Sequence, residues 1–189
     1  MKKIVVFASG SGSNFEAIVK QLHGKVCEVA LLICDKPGAG CLERASQLGI
    51  DMWVTIPKDY ASKVDYERKI IEKLSQINPQ LIVLAGYMRI VGPTLLEHYD
   101  GKIINIHPSL LPAFAGKDGI KDALAYGVKL IGVTVHFVDA GIDTGKIIDQ
   151  DGFKIEAHQS VQEIEEKIHA IEHQLYPKVI EFLLHSGDR

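Results

Sequence analysis

Short apolar runs alternate with amphipathic stretches along the whole chain, and this alternation is the signature of βα units feeding a mostly parallel sheet. The runs predict strands at Ile4 to Ala8, Val29 to Cys34, Met52 to Ile56, Leu81 to Ala85, Ile103 to His107, Ile131 to Val138 and Lys146 to Lys154. Between them, residues with helical spacing predict helices at Asn14 to Leu22, Cys41 to Leu48, Ser62 to Ile77 and Lys117 to Tyr126. Asn78-Pro79 closes the third helix, because a residue before proline is pushed toward extended backbone. The last helix is the clearest. Ser160 and Glu163 have capping-box spacing, and Val161, Ile164, Ile168, Ile171, Leu175 and Val179 trace one apolar face. Pro177 is expected to kink or interrupt it near its end. The fold expected is α/β: a single-domain Rossmann-like sheet, mostly parallel, with helices on both faces. No linker, repeat or low-complexity segment divides residues 1–189.

Composition adds limits to this picture. Hydrophobic residues make up 47% and charged residues 24% of 189 residues, enough to bury a sizeable core. A net charge of -3 supplies no field for nucleic acid or an anionic membrane, so small-molecule partners are expected. The start of the chain is apolar for only a few residues before Ser9, too short for a signal peptide or membrane span. Cys27, Cys34 and Cys41 form no CxxC pair; this odd set points to free thiols in a reducing, cytoplasmic setting rather than to a metal.

Three segments carry candidate chemistry. Ser9-Gly10-Ser11-Gly12-Ser13-Asn14 lies between the first strand and first helix, where flexible glycines and a helix N-terminus can meet a phosphate. Phe15 stands where a dinucleotide fingerprint needs its third glycine, and no Walker lysine follows. A plain tight turn, with Ser13 or Asn14 capping the helix, remains the bland reading. In Ile103-Ile104-Asn105-Ile106-His107-Pro108, strand alternation puts Asn105 and His107 on one face, about 7 Å apart. An amide donor beside an imidazole suits a developing oxyanion, although a satisfied pair at a strand end is the commoner case. The third segment, His136 to Gly145, runs from a strand into a loop with Asp139 and Asp143. Asp143 can accept a proton or hold a histidine cationic, or can simply be a turn residue. His136 shares a face with Thr134 and reads as structural.

Asn105-Ile106-His107-Pro108-Ser109-Leu110-Leu111-Pro112, followed by the stretch from His136 to Gly145, resembles the folate-dependent formyltransferases. With the Ser9 to Asn14 loop, the likeness spans the chain and is closest to members acting on glycinamide ribonucleotide. The resemblance implies transfer of a formyl group from 10-formyltetrahydrofolate to that nucleotide's amino group, a step of purine synthesis. It implies Asn105, His107 and Asp143 as the catalytic set, with no covalent intermediate and no metal. It implies a phosphate-binding N-terminal half (about 1–100), with nucleotide contacts from Gly10, Ser11, Gly12, Ser13 and Asn14, and a catalytic and folate-binding half (about 101–189), in which Glu172 also contacts the nucleotide. The folate is implied along Met88, Arg89, Ile90 and Val91, facing Val138, Asp139, Ala140 and Gly141, with Lys63 a further contact for its tail. Leu111-Pro112 is a candidate cis bond on the same ground. The chain departs from the family at Ala115, where proline is common, and at Lys117-Asp118-Gly119-Ile120, where some members have histidines. No role is carried over to His169.

Among rival readings, a transfer-RNA formyltransferase would carry an added C-terminal domain, and a formyltetrahydrofolate hydrolase an added N-terminal one. A non-catalytic nucleotide-binding module would have no need for Asn105, His107 and Asp143 together. The oligomeric state is not legible in the sequence.

Overall fold

A computed structural model describes residues 1–186. One seven-stranded sheet forms its centre: β1 (Lys3–Ala8), β2 (Glu28–Cys34), β3 (Met52–Val54), β4 (Leu81–Leu84), β5 (Ile103–His107), β6 (Leu130–Phe137) and β7 (Ile147–Lys154), in the order β3-β2-β1-β4-β5-β6-β7. The first five run parallel, and β6 and β7 are antiparallel to their neighbours. The expected mostly parallel α/β sheet is therefore present, with its change of direction at β5 and β6.

Helices cover both faces. On one side lie α1 (Ser13–Leu22), α2 (Gly40–Leu48), α5 (Gly119–Tyr126) and α6 (Val161–Ser186), packed on Ile4, Val6, Leu32, Ile104 and Val133. On the other, α3 (Lys63–Ile77) and α4 (Pro93–His98) bury Tyr66, Ile70, Leu74 and Leu95 against Val5, Phe7, Ile33 and Ile82. The central strands are buried on both faces, which is why they read as continuous apolar runs rather than alternating ones.

Most predicted boundaries fall within one or two residues, and the exceptions have local causes. Neither Ser13 nor Asn14 caps α1; Gly12 does, in left-handed conformation at φ 79°, and Ser13 is the first helical residue. Asn78 closes α3 but is left-handed at φ 53° rather than extended, its N–H bonding the Leu74 carbonyl. Pro177 does not interrupt α6, which continues to Ser186. The cost of a missing helical hydrogen bond is offset there by burial of Tyr176, Pro177, Val179 and Ile180. At the start of α6 the capping box forms: Ser160 N–H donates to Glu163 at 2.7 Å, and Glu163 N–H to the Ser160 hydroxyl at 3.2 Å. Val161, counted on the apolar face, is exposed, since the face begins one turn later at Ile164. The Leu111-Pro112 bond is cis.

Tyr176 ties α6 to the middle of the sheet. Its fully buried hydroxyl lies 2.8 Å from the Leu84 carbonyl and 3.2 Å from that of Ile104. Tyr176→Phe leaves these carbonyls short of a donor, at an expected cost of about 1–2 kcal/mol, or a fall of roughly 3–6 °C in Tm. Thermal unfolding followed by circular dichroism measures it; an unchanged Tm means the carbonyls need no such donor.

Candidate active site

The carboxyl ends of the parallel strands β1, β4 and β5, flanked by His136 of the antiparallel β6 and the loop that follows it, open into a cleft of about 820 Å³. Such an edge is where open α/β sheets bind ligands. Gly10 to Asn14 form one wall, Met88 to Val91 another, and Asn105, His107, His136 and Asp143 the floor and far side.

The glycine loop is held in shape by α2. Cys41 N–H donates to the Gly10 carbonyl at 3.0 Å, and Arg44 Nε donates to the Ser11 carbonyl at 2.8 Å. Gly12 passes so close to α2 that an added Cβ would lie 2.6 Å from Cys41 Cα. The start of α1 carries no side-chain cap and the Gly10 to Asn14 segment lines the cleft, an arrangement that suits an anion. Asn14 reaches across to α6, its Nδ2 donating to Glu172 Oε2 at 3.1 Å, while its Oδ1 is buried without a protein partner. The same Glu172 oxygen lies 2.9 Å from His169 Nδ1, a contact that raises the pKa of this histidine.

The second wall is anchored by a residue the sequence did not single out. Asp35, buried at the end of β2, accepts from the Ser9 hydroxyl at 2.5 Å and from Arg89 Nε at 2.7 Å. Met88 N–H in turn donates to the same Ser9 oxygen at 2.9 Å. One carboxylate thus ties the first residue of the glycine loop to the Met88 to Val91 segment. Beyond it, Glu67 of α3 accepts from the N–H groups of Gly92 (2.5 Å) and Leu95 (3.1 Å), fixing the start of α4. Met88 and Ile90 project apolar side chains outward at 70% and 61% exposure, a surface that suits an apolar ring system.

Cross-strand register brings the polar floor together. In the β5–β6 ladder Asn105 stands opposite His136, and His107 opposite Thr134. Ile104 and Ile106 enter the helix-covered core on the other face, as the alternation predicts. Thr134 braces the next turn: its hydroxyl donates to the Ser109 carbonyl at 2.7 Å and accepts from Leu111 N–H at 3.0 Å. His107 is 5% exposed, and its Nε2 lies 2.8 Å from the Phe114 carbonyl. A carbonyl can only accept, so that nitrogen carries a proton.

Asp143 arrives from the loop after β6 in left-handed backbone, φ 54°. Its Oδ2 lies 3.4 Å from His107 Nδ1 and accepts from Gly116 N–H at 2.8 Å; its Oδ1 lies 3.5 Å from His136 Nε2. The hydrogen bond from His136 chiefly, together with those from Gly116 and the charge of His107, holds its pKa below the usual carboxylate range against the opposing effect of burial. It is an anion at neutral pH.

The structure thus gathers Asn105, His107, Asp143, Gly10 to Asn14, Glu172, Met88 to Val91, Val138, Asp139 and Gly141 around one cleft. Lys63 and Ala140 are not among its lining residues. Lys63 opens α3 and packs by its side chain against Gly92, behind the segment that faces the cleft. His136, read from the sequence as structural, lines the cleft against two of the candidate catalytic groups. Its opposition to Asn105 was a possible signal, but only once the antiparallel register of β5 and β6 is known.

Residues 2–180 match the model of the formyl transferase family, and the chain belongs to that family. It is 52% identical to the phosphoribosylglycinamide formyltransferase of Bacillus subtilis (strain 168), an alignment covering 100% of this chain and 98% of that protein. The crystal structure of glycinamide ribonucleotide transformylase 1 from Geobacillus kaustophilus superposes with a TM-score of 0.93 at 52% identity, over 97% of this chain and 99% of that one. A trifunctional purine biosynthetic protein, adenosine-3, of Drosophila melanogaster is 38% identical over 98% of this chain, which spans 14% of its length.

Proposed function

We propose that the chain transfers the formyl group of 10-formyltetrahydrofolate to the amino group of glycinamide ribonucleotide, a step of de novo purine biosynthesis. The observation that carries this reading is the convergence of Asn105, His107 and Asp143 in a cleft whose other end is an uncapped helix N-terminus. The nucleotide phosphate takes the N–H groups of the Gly10 to Asn14 loop, and its ribose hydroxyls lie toward Glu172. The folate lies along Met88 to Val91, its apolar ring on Ile90 and Val91 and the guanidinium of Arg89 toward its carboxylate tail.

The two ligands then meet above β5. Direct attack of the amine on the formyl carbon creates a tetrahedral oxyanion and a cationic nitrogen. Asn105 donates a hydrogen bond to the oxyanion, and protonated His107 adds charge stabilisation. His107 Nε2–H is occupied by the Phe114 carbonyl in this conformation, so direct donation by that atom requires the segment after Pro112 to withdraw. Asp143 keeps the His107 ring cationic and, through a water, accepts the proton released by the amine. The proton passes from the amine nitrogen through the water to the carboxylate and on to the folate nitrogen. As the oxyanion collapses to a carbonyl the carbon–nitrogen bond to the folate breaks, tetrahydrofolate leaves with that proton, and Asp143 is an anion again. The enzyme supplies no covalent nucleophile.

A spectrophotometric assay of folate release, run with glycinamide ribonucleotide and with water alone as acceptor, tests the reaction. Release that depends on the nucleotide supports it; equal release without nucleotide makes the protein a hydrolase.

A further inference from the structure

His136 has two groups to hold and one atom with which to hold them. Its Nδ1 lies 2.8 Å from the Phe137 carbonyl oxygen, an atom that only accepts, so Nδ1 carries a proton and the ring plane is fixed. Nε2 then points at the Asn105 amide nitrogen, 3.4 Å away, and at Asp143 Oδ1, 3.5 Å away. Without a proton, Nε2 accepts from the amide; with one, it donates to the carboxylate. The ring is 2% exposed, so water cannot replace either contact cheaply. On the β7 side its ladder partner is the apolar Ile147. The titratable groups set around the ring are Asp143 and, across that carboxylate, His107.

We propose that His136 is a positioning residue for formyl transfer: unprotonated at Nε2 it accepts from the Asn105 amide and fixes that donor toward the carbonyl, and once Nε2 takes a proton it donates to and fixes the Asp143 carboxylate instead. It touches no substrate and acts through the other two. The inference rests on the reading that Asn105 and Asp143 act at the formyl carbon. Packing alone asks only for a flat ring, which phenylalanine supplies; positioning asks for a donor and acceptor at the place of Nε2, which the amide of glutamine supplies.

His136→Phe and His136→Gln separate these demands. His136→Phe is expected to lower kcat about 30-fold with both KM values within about threefold, and His136→Gln to restore kcat to within about fivefold of the parent. In an Asp143→Asn background, His136→Phe is expected to add less than about threefold, because both changes break one connected unit. Nitrogen-15 NMR of the unsubstituted enzyme is expected to show a proton on Nδ1 of this ring, a readout that stands even if the phenylalanine variant does not fold. Near-parent kcat for His136→Phe, full additivity in the double variant, or a ring protonated at Nε2 alone overturns the proposal. Those results with Asn105→Ala and Asp143→Asn both slow remove His136 only; if those two variants also turn over normally, the catalytic reading itself falls.

Discussion

Asp143→Asn is expected to keep the fold and lower kcat by about 10²-fold or more. The amide is nearly isosteric with the carboxylate and can still accept from Gly116 N–H through its oxygen, so the loop stays in place. What disappears is the anion between His107 and His136, and with it the group proposed to accept the amine's proton. The pH dependence follows from the same geometry. The pKa of Asp143 is lowered in the folded chain, so its stabilising contribution is present above the unfolded value and is lost as the pH falls through the folded one. An acid limb due to this group therefore belongs below the ordinary carboxylate range. Single-turnover rates across pH, beside circular dichroism of the variant, measure both effects. Near-normal turnover by a folded Asp143→Asn protein removes this carboxylate from the mechanism.

Gly12→Ala is expected to act on binding instead. Gly12 has φ 79°, a region that costs a residue with a Cβ roughly 1–2 kcal/mol. The new methyl would also sit 2.6 Å from both Cα and Cβ of Cys41. Cys41 cannot retreat freely, because its own N–H holds the Gly10 carbonyl. The loop must therefore move off α2, taking the start of α1 away from the proposed phosphate position. An increase of at least about 30-fold in KM for glycinamide ribonucleotide is expected, with the folate KM little changed, since several charge-assisted contacts are misaligned together. Initial-rate kinetics with each substrate varied in turn distinguish this from general unfolding, which would lower the active fraction and leave both KM values alone.

The parts of this protein legible in its sequence are those set by local repetition. Buried parallel strands announce themselves as apolar runs, and the 3.6-residue spacing of Ile164, Ile168 and Leu175 marks the core face of α6. The six-residue α4 is too short to show a period, and its start depends on Glu67 from another helix. Asn78 took a conformation that a rule about prolines disfavours because its N–H had a helix carbonyl to satisfy. Asn105, His107 and Asp143 could be named because their string is distinctive. Asp35 could not, since its importance comes from Ser9 and Arg89, which are 26 and 54 positions away in the chain. His136 looked inert for the same reason: alternation gave its face but not its neighbours.

The reversal of direction between β5 and β6 also makes the polar lining of the cleft depend on strand register. Four polar side chains depend on two facing rows of backbone hydrogen bonds, and a slide of one position would send Asn105 and His107 into the oily layer under α6 while presenting Ile104 and Ile106 to the substrates. The pairing that makes the sheet cohere is also what brings Asn105, His107, Thr134 and His136 to one face.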